Sequence, residues 1–134
     1  MENGSYTIQT VTNGVTDLSA AKNLLINTSG ALASAATDLD VLGSLEANAE
    51  SAAGGLRINL TYAGTATCIA SAAINPYADV MVDAANHGKV IAHVAAGSNV
   101  AVGQYLPELV DGQANAAAAG DEITVHLYAA ISIY

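Results

Sequence analysis

The chain has 134 residues, a formal net charge of −9 and hydrophobic residues at 52% of positions, yet it contains neither Phe nor Trp. That length fits one domain with a modest core. Twelve carboxylates stand against only Lys22, Arg57 and Lys89. This balance excludes phosphate-neutralising contact with nucleic acid and attraction to an anionic membrane surface.

Without large aromatic rings the core must be built from Val, Ile, Leu and Ala. Each of these removes less apolar area from water, at ~25 cal/mol per Å². Burying a face against further copies of the chain would supply what one copy lacks. Cys68 is the single cysteine, which excludes an intrachain disulfide and a multi-cysteine metal site, and its apolar neighbours make it a small buried filler. The first residues, Met-Glu-Asn-Gly-Ser-Tyr, lack the pattern of a signal peptide. No run approaches ~18 apolar residues, so no membrane span is expected. The sequons at Asn3, Asn27 and Asn59 carry no weight without a secretory route.

Ser5 to Val11 sets Tyr6, Ile8 and Thr10 against Thr7, Gln9 and Val11, which reads as a strand or an extended arm ended by Asn13-Gly14. Residues 1–14 are therefore expected to be an amino-terminal arm, loosely held in the free protein, and 15–134 the β-rich domain. Asp17 to Ala21 reads as a helical turn capped by Thr16 or Asp17. Asn23 to Asn27 is a short strand, and Thr28-Ser29-Gly30 is a turn into Ala31 to Ser34.

The segment from Thr37 to Gly55 admits two readings. One is an amphipathic helix with Thr37 and Asp40 as a capping box and Leu39, Leu42 and Leu45 on one face. The other follows from an internal pseudo-repeat. Leu42-Gly43-Ser44-Leu45, a polar and Ala-rich loop, then Ala52-Ala53-Gly54-Gly55 and a strand to Leu60 has a later counterpart. That counterpart is Val102-Gly103-Gln104-Tyr105, a similar loop, then Ala118-Ala119-Gly120-Asp121 and a strand to Leu127. The repeat favours strands.

Asp79 to Asp83 and Lys89 to Val94 alternate at the period of half-buried strands, with Asn86, His87 and Gly88 as turn residues between them. They predict a β-hairpin entered after Pro76, which cannot donate a ladder hydrogen bond. Val100 to Leu106 and Glu122 to Leu127 read as further strands, the last opened by Gly120-Asp121. The expected fold is mostly β: a small barrel-like or sandwich single domain with an extended amino-terminal arm and few short helices.

Taken in order, these elements resemble the small head-decoration, or capsid cement, proteins of tailed bacteriophages. The marks are Thr16-Asp17-Leu18-Ser19, the Thr-Ser-Gly turn, Val41-Leu42-Gly43, the Ala-Ala-Gly-Gly step and the strand leading to Ala63-Gly64. Ala73-Ile74, the run Val80 to Val90, Val102-Gly103 and Ala119-Gly120-Asp121-Glu122 complete the set. The chain departs at Asn75-Pro76-Tyr77-Ala78-Asp79, where such proteins more often carry a plain Ala-Gly-Asp step. The resemblance implies a structural protein without catalytic, cofactor or metal residues. It also implies a homotrimer on the outer surface of the virion shell, bound to the major capsid protein at capsomer junctions. An acidic protein suits that exterior, since packaged DNA on the inside would repel it.

Other chemistry is weakly served by these residues. His93 and His126 lie on predicted strands that could pair, with Asp83 or Asp121 near, but His87, His93 and His126 match no metal-binding spacing. No Gly-x-Ser-x-Gly elbow supplies a nucleophile. Asp79 and Asp83 would sit about 13 Å apart along a strand, and Asp121 and Glu122 would point to opposite faces, so all four read as solvated edge charges. Lys89 after a hairpin turn invites comparison with lipoyl or biotinyl carrier domains, but Gly88 and Val90 flank it where those domains carry acidic or methionine residues.

Overall fold

The computed structural model describes residues 6–12, 17–37 and 40–128. One long strand, β4 (Arg57–Ile69), organises it, burying Ile58, Leu60, Ala66 and Cys68 and exposing Arg57, Asn59, Thr65 and Thr67. Gly64 interrupts the strand with a φ of 79°, a backbone state that favours glycine. The partners of β4 change at that point. Its first half pairs antiparallel with β1 (Tyr6–Val11) and β3 (Val41–Leu45), and its second half, from Gly64, pairs with β10 (Glu122–Leu127).

Antiparallel pairing continues from both ends of this arrangement. β2 (Leu25–Asn27) lies beside β3, while β7 (Gly103–Tyr105), β5 (Asp79–Val82) and β6 (Val90–Ala92) follow β10 in that spatial order. A parallel bridge between Ala70 and Val90, and a hydrogen bond of 2.9 Å from Ser71 N–H to the Val90 carbonyl, return β6 to the end of β4. The sheet thus curls back on itself, leaving few free edges. β8 (Leu109–Val110) and β9 (Gln113–Ala114) form a separate two-stranded ribbon.

The curled sheet encloses two apolar clusters. The larger gathers Leu25, Cys68, Ile74, Val80, Val82, Val90, Val125 and Leu127, with Tyr105 as its one large ring. The smaller holds Leu18, Ile26, Leu45, Ile58 and Leu60, with Ile8 of β1 packed on it. Adjacent residues of a strand face opposite ways, so β2 serves both clusters, Leu25 in one and Ile26 in the other. The turn between β5 and β6 docks against β2 and the segment that follows it. Leu25 N–H donates to the Gly88 carbonyl and Gly88 N–H donates to the Ala33 carbonyl, each at 2.8 Å. Gly88 has a φ of 82°, and a Cβ there would meet the Leu24 side chain at 2.8 Å.

The fold is mostly β, as the alternation indicates, and no helix occurs among the described residues. Asp17 to Ala21 is a turn in which Asp17 Oδ1 accepts from both the N–H and the hydroxyl of Ser19; Thr16 lies outside the described residues. Among the described residues of 37–55 the helical alternative gives way to β3 and an irregular loop, and Leu39 lies outside the described residues. Of the expected arm, Tyr6–Val11 is laid along β4, and residues 1–5 and 13–14 lie outside the described residues. The departure at Asn75–Asp79 is a tight turn closed by Ala78 N–H to the Asn75 carbonyl, with Pro76 second and Tyr77 third at a φ of 63°. Those are the marks of a type II turn.

Candidate interaction surface

The residues considered for chemistry are scattered. His93 follows β6 and His126 lies in β10, so β7 and β5 separate strands that the sequence suggested could pair. Among the described residues no three His, Cys, Asp or Glu side chains come close enough to share a metal ion. His87 is exposed in its turn, and Lys89 is half-buried at the foot of β6 rather than displayed at a tip, a poor position for a carrier lysine. Cys68 is fully buried, and burial pushes its thiol pKa up to about 12.

One of the carboxylates departs from the expected solvated state. Asp83 is buried, because it follows β5 directly and caps the turn to β6. Its carboxylate accepts from the Ser71 hydroxyl at 2.6 Å, the Ala85 N–H at 2.9 Å and the Asn86 side-chain amide at 2.8 Å. Burial alone would raise its pKa, but those donors and the Asn86 N–H outweigh it and hold the pKa below 3.8. The arrangement fixes a turn. Asp79, by contrast, is exposed and accepts the Tyr128 hydroxyl at 2.6 Å.

Cross-strand register builds the outer face around that pair. Asp79, Gln104 and His126 are successive partners across β5, β7 and β10, and Tyr128 meets His126 edge-on with ring centroids 6.2 Å apart. Tyr77 stands beside them, its carbonyl accepting the Gln104 side-chain amide at 3.0 Å. Tyr6 and Tyr62 meet at 6.1 Å on the β1–β4 face. Among the described tyrosines Tyr105 alone is buried in the core. Rigid amphipathic rings at a surface are a feature of protein interfaces.

A second surface feature was not anticipated from sequence. The β8–β9 ribbon turns through Asp111 and Gly112, both with positive φ (52° and 78°), the geometry of a type I′ hairpin. Asp111-Gly112 was the available signal, hidden within a stretch read as a polar loop. Between the ribbon and the start of β10 lies a cleft of about 290 Å³, lined by Tyr105, Leu106, Glu108, Val110, Asp121 and Glu122 among others.

No protein-family model and no curated protein matches the chain. Among solved structures it is similar to the head fiber gp8.5 N base of bacteriophage phi29, with a TM-score of 0.61 and 10% sequence identity. The match covers 96% of this chain and 100% of that one. The two chains share a fold. Because the shared region is nearly the whole of both, the likeness extends beyond a common hairpin to the curled sheet itself.

Proposed function

We propose that the chain is a structural protein of a tailed-phage head, a decoration or cement protein seated on the outer surface of the shell at capsomer junctions. The observation that carries this reading is the near-complete fold likeness to a base protein of a phage head fiber. Its partners are the major capsid protein of the same phage and two further copies of itself, with neither nucleic acid nor membrane involved. The net charge of −9 supports an exterior position. The surface tyrosines and the small-residue core support association.

The edge of β1 supports capture of a neighbouring chain. Thr12 N–H donates to the Leu56 carbonyl at 2.8 Å, so Thr12 faces β4. Alternation then turns the N–H and C=O groups of Thr7, Gln9 and Val11 away from β4. Among the described residues no strand pairs with that edge. An extended segment of a shell subunit could add there as a further strand. Many such contacts on one shell act together, so each can be individually weak.

The test is resistance of the particle. Heads stripped of this protein and heads to which it has been added back are heated, or treated with a chelator, in parallel. Added protein raises the temperature or dose at which heads open. Equal resistance contradicts the cement role.

A further inference from the structure

Leu109 and Val110 are the two most exposed large apolar residues among those described, at 64% and 55%. They are adjacent in β8, so they point to opposite faces of the ribbon. Leu109 shares its face with Ala114, its partner in β9, and Val110 shares the other with Gln113. A ribbon that folds down as a flap over its own sheet would hide one apolar face. This one hides neither, because Val110 looks into the open cleft that separates the ribbon from β10. Apolar groups on both faces of a narrow projection suit insertion between surfaces.

The ribbon is also ready for insertion. Its two-residue turn has the hairpin geometry that matches strand twist, and Tyr105 donates its hydroxyl to the Asn115 carbonyl at 3.0 Å just beyond β9. A finger already in its bound shape loses little conformational freedom on docking. Charge selects what it enters. Glu108 adjoins the apolar pair, Asp111 occupies the tip, and Asp121 and Glu122 line the cleft. The crowding is felt by Tyr105, whose pKa is raised by burial and then by the charges of Asp121 and Glu108. A second copy offers only Lys22, Arg57 and Lys89, spread over the approach to β2, the start of β4 and the foot of β6, against a net charge of −9.

We propose that the β8–β9 hairpin is a docking finger that inserts Leu109 and Val110 into an apolar recess rimmed by Lys and Arg on a different protein. The shell protein serves as the first partner tested, and that choice rests on the proposed head function. The finger itself rests on exposure, ribbon geometry and charge.

The test has three arms. Wild type, Leu109→Ser/Val110→Ser and Glu108→Gln/Glu122→Gln are compared for co-sedimentation with stripped heads, with thermal melting as a control for folding. The ribbon lies outside both apolar clusters, and a Gln at position 122 can still accept the Asn23 side-chain amide that Glu122 accepts at 3.4 Å, so all three proteins should melt alike. The double Ser variant should bind about ten-fold more weakly or worse, and the Gln variant, which keeps Asp111 and Asp121, should show a weaker salt dependence than wild type. If the Ser variant binds like wild type, the finger is wrong while the head function stands. If wild type itself fails to bind heads, the head function falls, and the second arm decides the finger. In that arm an end-blocked hexapeptide of alternating Leu and Lys is titrated into isotope-labelled protein. The largest amide shifts are expected at Leu109, Val110 and Asp121 to Thr124; shifts elsewhere only, or none, overturn it. Sedimentation of the free proteins is the third arm. A change of oligomeric state in the Ser variant would assign the ribbon to a second copy and overturn the proposal.

Discussion

Gly43 and Gly103 occupy the same point in two copies of one antiparallel strand pair, β3 with β4 and β7 with β10. Gly43 of β3 lies under the backbone of β4, where a Cβ would strike the Thr61 carbonyl oxygen, and Gly103 of β7 lies under β10, where a Cβ would strike that of His126. The registers agree, since Ser44 pairs with Thr61 as Gln104 pairs with His126. The pseudo-repeat in the sequence is a structural repeat, with one close backbone approach in each copy.

Gly43→Ala and Gly103→Ala should therefore each destabilise the fold by about 1–3 kcal/mol, toward the upper end because the obstacle is backbone. Gly112→Ala, which meets open space at a φ of 78°, should cost only the left-handed strain of about 1–2 kcal/mol. Urea denaturation of the three variants checks the order.

Asp83→Ala should remove about 1–3 kcal/mol by leaving the Ser71, Ala85 and Asn86 donors without their acceptor. The carboxylate's folded pKa lies below its ordinary 3.8. It therefore stabilises the fold above that value, and the contribution drains away as pH falls through the folded pKa. Stability measured from pH 5 down to pH 2 should fall less steeply in the Asp83→Asn variant.

Tyr128 should titrate well above an ordinary tyrosine. Its hydrogen bond to Asp79, with burial and the Asp79 charge adding to it, pushes the pKa up to about 12. The interaction is present below the unfolded value near 10 and is lost as pH rises through the folded one. Ring-carbon NMR titration reads this directly, and Asp79→Asn should lower the midpoint.

Cys68 should resist thiol reagents at pH 8 until the chain unfolds, because burial keeps the reactive thiolate scarce. Labelling rates in urea should follow global unfolding. Labelling at the rate of a free thiol in the native protein would show that the core opens locally.

Strand alternation was legible where a strand has one wet face along its length, as in β10; in β5 only Asp79 is exposed, and Met81 is buried on the face the alternation made wet. The partner of a strand was less legible. Tyr6, Ile8 and Thr10 announce a strand, but nothing local shows that Ile8 packs on the cluster around Leu60, more than fifty residues away. Asp83 looked like a solvated charge because its burial depends on Ser71, brought to it by the return of the chain from β4. The β8–β9 ribbon was missed because its strands are two residues long, too short for period-2 alternation to register. Asn75–Asp79 read as a departure, yet Pro76 and Tyr77 build the turn by accepting a positive φ at a non-glycine residue.

We propose that this protein sits on the outside of a phage head. Cryo-electron microscopy of heads assembled with and without it tests that claim most directly. Added density is expected on the outer surface at capsomer junctions, three copies to a site, with the curled sheet fitting that density and the β8–β9 ribbon directed into the shell. Heads with identical outer surfaces in the two preparations, or density confined to the interior, would contradict it.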